Sequence, residues 1–470
     1  MNEKILSQPP FTKITPKANG KSTIRYVTFN VNGVKTIFNY HPWNQFNQDY
    51  NALFNSLDAD IITLQELKLT ETSLKQNKNI AHLADYKSLI SIPTTKKGYS
   101  GVGLFIRNSS PNLTVIKAEE GITGWLKSKT NGDKVPYRQL KDNIGGYTDF
   151  DQESGEVLDA EGRCVVVELA NGTVIFAVYC PANSQKTYDG ELFRLTFMKL
   201  LLERCINLKK LGKKIVVLGD ININLDLIDN AEGIELGVKD NLVRRAPDGQ
   251  IFETINYEEC VRFKNSSDAR ILLNKYVYRT LWQDLVTDGD DKGDRQFLYD
   301  TTRYVQGRRM KMYTVWNTLT NSRQTNYGSR IDLILFSDTT MLKNVSNADI
   351  WPFILGSDHC PVFTDVEITE PVSSVDVVEP PKLNLEAKYH FKLDKERDIT
   401  SMFGMKPSSK NTAKLPTSSS ESSTPEPSQS SISKSKYVYK SRKVTKPESK
   451  KQSTTKSDKQ KSISQFFSIE

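Results

Sequence analysis

Along the first three quarters of the chain, short apolar runs alternate with polar clusters that close them. The runs at 24–29, 61–64, 102–106, 164–169, 174–179, 215–218, 330–336 and 362–366 are rich in Val, Ile and aromatic residues, which suit a pleated, partly buried surface. Several are apolar at nearly every position, which predicts sheets covered on both faces. The segment ELFRLTFMKLLLERCINLKKL instead carries apolar residues at helical spacing, with Asp189 as N-cap, Lys209 and Lys210 in the last turn and Gly212 as stop. It predicts a helix lying on a sheet. Residues 232–304 are less regular and rich in Asp, Asn and Arg, and predict helices and loops inserted into the core. Many strands with few helices predict an α/β class, with two sheets flanked by helices in a layered sandwich.

Composition changes beyond about residue 370, where Ser, Thr, Pro and Lys dominate and large apolar residues become rare. The expected organisation is a flexible N-terminus over 1–20, one large domain over 21–370 and a disordered tail over 371–470. Charge follows the same division: residues 405–470 hold 14 Lys+Arg against 5 Asp+Glu, leaving 50 against 51 elsewhere. The basic character therefore sits in the tail, where it would add salt-sensitive affinity for nucleic acid. Five widely spaced cysteines, mostly within apolar runs, indicate neither a disulfide framework nor a zinc site and fit a reducing, intracellular compartment. No signal-peptide stretch and no run of membrane-spanning length is present, so a soluble protein with no membrane partner is expected.

Five polar motifs stand at the ends of apolar runs: Phe29-Asn30-Val31-Asn32-Gly33, Leu64-Gln65-Glu66-Leu67-Lys68, Gly219-Asp220-Ile221-Asn222, Gly328-Ser329-Arg330-Ile331-Asp332 and Gly356-Ser357-Asp358-His359-Cys360-Pro361. Taken singly, each has a bland reading: a solvated strand-end carboxylate, a turn, a structural histidine. Together they supply what metal-assisted phosphodiester hydrolysis needs, hard oxygen ligands for Mg²⁺ and a base to orient water. Asn30 and Asn32 flank Val31 in an extended segment, so both amides are expected to face one cleft.

In order and wording these motifs resemble the exonuclease III family of abasic-site endonucleases, over about residues 24–367. The resemblance implies the four-layer α/β sandwich of the endonuclease/exonuclease/phosphatase fold and a Mg²⁺ cofactor, with Mn²⁺ as a substitute. It makes Glu66 the principal metal ligand, with Asn30, Asn32, Asp220, Asn222, Asp358 and His359 around the ion. By the same resemblance Asp220 deprotonates water, Asn222 and Tyr179 hold phosphate oxygens, and His359 acts on the scissile phosphate with Asp332 fixing its tautomer. Lys68, Tyr99 in Lys97-Gly98-Tyr99-Ser100-Gly101, Trp316 and Arg330 are the implied DNA contacts. Val315 and Ser329 stand where abasic-site specialists carry bulky aromatics, which predicts a looser grip on a flipped-out sugar and a bias toward 3′-end processing. That departure, with Leu158-Asp159-Ala160-Glu161-Gly162-Arg163 and Tyr179-Cys180-Pro181, is similar to the AP endonuclease 2 branch.

Near the C-terminus, Gln460, Ile463, Phe466 and Phe467 have the spacing of a sliding-clamp (proliferating cell nuclear antigen) binding peptide, and one helical turn would gather the apolar three on a single face. The 397–403 segment is a degenerate version, and Lys440-Ser441-Arg442-Lys443 reads equally as a nuclear import signal or a phosphate-binding stretch. The expected protein is a monomeric nuclear DNA-repair nuclease acting on duplexes with abasic sites or blocked 3′ ends. Two alternatives share parts of this pattern: a phosphoesterase of the same fold acting on inositol phosphate or RNA, and a catalytically weak scaffold bound to the clamp.

Overall fold

The computed structural model describes residues 14–17, 22–130, 133–278, 296–369 and 381–393. Two six-stranded mixed sheets form its centre. The first has the order Val345–Ile350, Val362–Glu367, Thr23–Asn30, Ile61–Gln65, Val102–Arg107, Tyr86–Ser91. The second runs Tyr299–Asp300, Asp332–Phe336, Lys214–Asp220, Thr173–Tyr179, Cys164–Leu169, Val115–Glu120.

Near-continuous apolar strands arise because each sheet is covered twice. Tyr26, Ile61, Leu104 and Ile106 of the first sheet meet Val165, Ile175, Val216 and Ile334 of the second in the central layer. Phe29, Ile62, Leu64 and Phe105 face the other way, against Trp43, Phe54 and Leu74. Val166, Phe176, Val217 and Leu335 pack under the helices Tyr188–Lys210 and Asp268–Tyr276. Burying a side chain of this size contributes about 1.5–3 kcal/mol, so alternating faces of one strand stabilise two interfaces at once. The long helix is where the sequence placed it, but its N-cap is Thr187, whose hydroxyl accepts from Gly190 N at 3.1 Å, rather than Asp189. Asp189 lies two residues on, in the first turn, where a carboxylate still favours the positive end of the helix.

Residues 231–276 fold as the helices Ala231–Lys239, Gly249–Ile255, Tyr257–Lys264 and Asp268–Tyr276 around a small core of Leu227, Ile234, Val243 and Phe252. Edge strands with mixed polarity escaped the sequence reading: Tyr86–Ser91, Val115–Glu120 and Val345–Ile350.

Both proposed domain boundaries move. Residues 14–17 belong to the domain: Ile14 packs on the core, Thr15 O accepts from Arg25 at 2.7 Å and Lys17 pairs with Asp60 at 2.6 Å. Within the stretch expected as tail, residues 381–393 strap the edge strand Tyr86–Ser91. Leu383 and Leu385 enter the central layer, Ala387, Phe391 and Leu393 enter an outer one, Glu386 bridges Leu89, and Leu393 O lies 2.6 Å from His82 Nε2. Five apolar side chains in an otherwise polar stretch are enough to hold it down. The clamp-like peptide Gln460, Ile463, Phe466, Phe467, the 397–403 segment and the basic cluster at 440–443 lie outside the described residues.

Candidate active site

The strand register places the site. On the second sheet Asp220 pairs with Tyr179 on one side and Asp332 on the other, so three functional side chains share one rung at the sheet end. On the first sheet Asn30 is opposite Gln65, and the chain turns immediately afterwards into Glu66. The turns rest on left-handed backbone at Asn32, Glu66 and Asn222, with φ of 47°, 53° and 57°. Such conformations cost about 1–3 kcal/mol for residues with a Cβ, and here each aims a polar side chain into the cleft. Gly219 sits so close to the neighbouring strand that a Cβ would come 1.9 Å from Val178 O, so the strand carrying Asp220 can approach only through glycine.

Asn30 is the centre of the arrangement. Fully buried, its Nδ2 donates to Glu66 Oε1 at 3.0 Å and to Asp220 Oδ2 at 2.9 Å, tying the two sheets together through two carboxylates. Tyr179 donates its hydroxyl to Glu66 Oε1 at 3.0 Å, and Lys68 pairs with Glu66 Oε2 at 3.0 Å. Burial by itself raises the Glu66 carboxyl, but hydrogen bonds from Asn30 and Lys68 and the charges of Lys68 and His359 outweigh it, and the group is held below its usual range. Glu66 is an anion at the mouth of the cleft. Burial and the Glu66 charge raise the Tyr179 phenol, which therefore remains a donor.

Deeper in, His359 Nδ1 lies 2.9 Å from Asp332 Oδ2 while its Nε2 lies 3.9 Å from Asp220 Oδ2. Burial alone would lower the imidazole, yet Asp332, then Asp220 and Asp358, push it up to about 10. Asp220 is pushed up to about 7, first by burial and then by the Asp332 charge, against the lowering by His359 and Asn30. The trio behaves as one proton-sharing unit in which the histidine is a cation and Asp220 is poised near neutrality. Ser357 locks the turn, donating to Asn30 O at 2.7 Å and accepting from His359 N at 3.2 Å.

Asn32 does reach the cleft, though from a left-handed rather than an extended residue. Its amide donates to Asp358 Oδ1 at 3.0 Å and accepts from Lys68. Asn222 spends one amide proton on Cys180 O at 2.9 Å, and its backbone N–H donates to Asp220 Oδ1. Tyr99 is bonded to Arg163, whose guanidinium stacks between the Tyr99 and Tyr179 rings at 5.1 and 4.8 Å. In the sequence Arg163 stands out only as the end of Leu158-Asp159-Ala160-Glu161-Gly162-Arg163. Its role depends on two aromatic residues 64 and 16 positions away that no local pattern connects to it.

Two expected DNA contacts are corrected. Arg330 is 1% exposed and is locked to Asp229 at 2.8 Å and Asp300 at 2.8 Å, in a network that also holds Arg303. A guanidinium with its donors committed to buried carboxylates has no reach toward phosphate. Trp316 is 4% exposed, donates to Asn326 Oδ1 at 3.1 Å and carries Arg323 on its ring, so it packs the loop rather than facing a ligand. Val315 and Ser329 pair with each other, and Val315 also bridges His359, which places these two short strands against the turn that carries His359.

A set of ionised and amide oxygens around Glu66, Asn30, Asn32 and Asp358 is the donor chemistry of a hard divalent cation. Asp220, Asp332 and His359 also lie with ligand atoms within 4.8 Å of one another. Within that inner group Asp332 holds the imidazole Nδ1 of His359, and the Nε2 faces Asp220.

Known proteins match this arrangement. The Endonuclease/Exonuclease/phosphatase family profile covers residues 27–359, a span containing all the cleft residues from Asn30 to His359. The DNA-(apurinic or apyrimidinic site) endonuclease 2 of Saccharomyces cerevisiae is 43% identical over 84% of this chain and 77% of its own length. Its Schizosaccharomyces pombe counterpart is 34% identical over 73% of this chain, which spans only 58% of that relative. The crystal structure of the Xenopus laevis APE2 catalytic domain superposes with a TM-score of 0.55 at 24% identity, over 78% of this chain and 97% of that one, and shows the same fold. The chain therefore belongs to the endonuclease/exonuclease/phosphatase family and, within it, to the AP endonuclease 2 group.

Proposed function

We propose that this protein is a divalent-cation-dependent DNA-repair nuclease that hydrolyses phosphodiester bonds at abasic sites and at blocked 3′ ends. The observation that carries this reading is the convergence of Glu66, Asp220 and His359 on one amide, Asn30, and its neighbours, in a chain 43% identical to an AP endonuclease 2.

Glu66, with Asp358, Asn30 and Asn32 beside it, would hold the cation, which when bound neutralises phosphate charge and the departing 3′ oxygen. Asp220 accepts the proton of the attacking water, its raised pKa matching a base that works near neutrality. His359, kept cationic by Asp332, stabilises charge on a non-bridging phosphate oxygen. Asn222 donates its second amide proton to the same phosphate group, and Tyr179 turns its hydroxyl from Glu66 to it when the substrate binds. Lys68 and Tyr99 line the DNA-facing side. Mg²⁺ is the expected ion. The modest side chains Val315 and Ser329 favour 3′-end processing over incision within a duplex.

The basic tail and the Gln460, Ile463, Phe466, Phe467 peptide support recruitment to the sliding clamp and a nuclear location. Among the described residues no helix is long and apolar enough to cross a membrane.

The test is product analysis on end-labelled duplexes carrying an internal abasic site or a 3′-phosphoglycolate, with Mg²⁺ and with EDTA. Cleavage in Mg²⁺, its loss in EDTA and its loss in folded Glu66→Ala and His359→Ala are the expected results. Undiminished turnover in either variant would overturn the assignment.

A further inference from the structure

Arg323 is half-buried and differs from the buried arginines. Arg25, Arg163, Arg204, Arg303, Arg308 and Arg330 each pair with a carboxylate, whereas Arg323 has no ion-pair partner among the described residues. Its guanidinium instead binds four backbone carbonyls of one segment. Nη1 donates to Ser357 O at 2.9 Å and His359 O at 3.2 Å, and Nη2 donates to Pro352 O at 3.1 Å and Ile354 O at 2.6 Å. The far face lies on the Trp316 ring at 4.5 Å.

The segment so gripped is the one that delivers His359. From its other side it is held by Trp316 N to Asp358 O at 3.0 Å and Cys360 N to Thr314 O at 2.8 Å. Four carbonyls on one half-buried guanidinium supply charge-assisted hydrogen bonds without a neutralising carboxylate. The arrangement is also rigid: the planar, forked guanidinium holds four carbonyls at once, which the point charge of a flexible ammonium cannot do. Among the described residues, the hydrogen bonds from the loop 317–327 to the segment 352–359 are those of Arg323.

We propose that Arg323 is a positioning residue, setting the Ser357-Asp358-His359 turn so that the imidazole stands over the scissile phosphate. This rests on the nuclease reading given above. Displacing a reacting group by about 1 Å costs on the order of 100-fold in rate, so loosening the clamp slows the chemical step without touching the DNA contacts.

Full-length wild type, Arg323→Lys and Arg323→Ala are compared on a 5′-labelled abasic duplex in Mg²⁺, together with DNA affinity in EDTA and thermal midpoints. Arg323→Lys keeps the charge and loses the fork; its kcat is expected to fall about 10- to 100-fold while KM and Kd stay within about twofold. Arg323→Ala is expected to be at least as slow and less stable. A wild-type rate in Arg323→Lys, a loss confined to DNA affinity, or failure of Arg323→Lys to fold would each overturn the proposal, the last by making the residue a stability element. Absence of cleavage by the wild type would instead sink the nuclease reading.

Discussion

Replacing Asn30 by Leu probes the joint between the two sheets. The side chain is fully buried and donates from one nitrogen to both Glu66 and Asp220, at 3.0 and 2.9 Å. Leucine is of similar size, so the change removes the donor with little alteration of packing volume. A hydrogen bond to a charged group contributes about 1.5–3 kcal/mol, and 1.36 kcal/mol corresponds to one pKa unit. Losing it leaves Asp220, otherwise about 7, buried beside Asp332 with less stabilisation of its anion, so the group rises to roughly 8–9. At pH 7 the ionised, competent fraction then falls by about 5- to 50-fold, and misplacement of Glu66 adds to the loss. Single-turnover cleavage of an abasic duplex, followed from pH 6 to 10 at saturating Mg²⁺, should show the acid limb moved upward with partial recovery near pH 9. An acid limb superimposable on that of the wild type would refute the role of Asn30 in tuning the base.

Other outcomes follow from the same geometry. Asp332→Asn removes the main charge raising both His359 and Asp220, so both limbs of the bell-shaped rate profile should move to lower pH, the alkaline one from near 10 toward 6.5; unmoved limbs would detach Asp332 from the acid–base unit. Arg330→Met breaks the pairs with Asp229 and Asp300 and should destabilise by about 3–5 kcal/mol, measured by chemical denaturation, because it leaves buried charge uncompensated. Where the variant remains folded, its DNA affinity should be unchanged; a selective loss of affinity would restore Arg330 as a DNA contact. Truncation after residue 370 should lower the thermal midpoint and expose the Tyr86–Ser91 edge to proteolysis, whereas truncation after 394 should not, because Leu383, Leu385, Phe391 and Leu393 remain in place.

What the sequence determined is what neighbours along the chain decide. Buried strands such as Lys214–Asp220 announce themselves because both faces are apolar, and the polar residue after each run marks where backbone leaves the sheet. Glu66 and Asp220 were singled out for that reason and His359 because it stands just before the run 362–366, and the family pattern supplied their order. Edge strands such as Val345–Ile350 were not, since one rim of an edge faces water and tolerates Ser, Asn and Asp.

Tertiary structure alone decided which charges are paired. Arg330 follows a strand motif as a DNA-binding residue would, but its carboxylates are Asp229, at the end of a 3-10 turn, and Asp300, in the strand Tyr299–Asp300. Arg323 meets carbonyls 29 to 36 residues downstream, and Asn30 meets Asp220 across 190. Residues 381–393 read as tail because their five apolar side chains form no pattern by themselves and acquire a core only by lying on another element. Hydrogen-bond and charge partners are set by distances in space, and the energy of a buried polar group depends on those partners rather than on its neighbours in sequence.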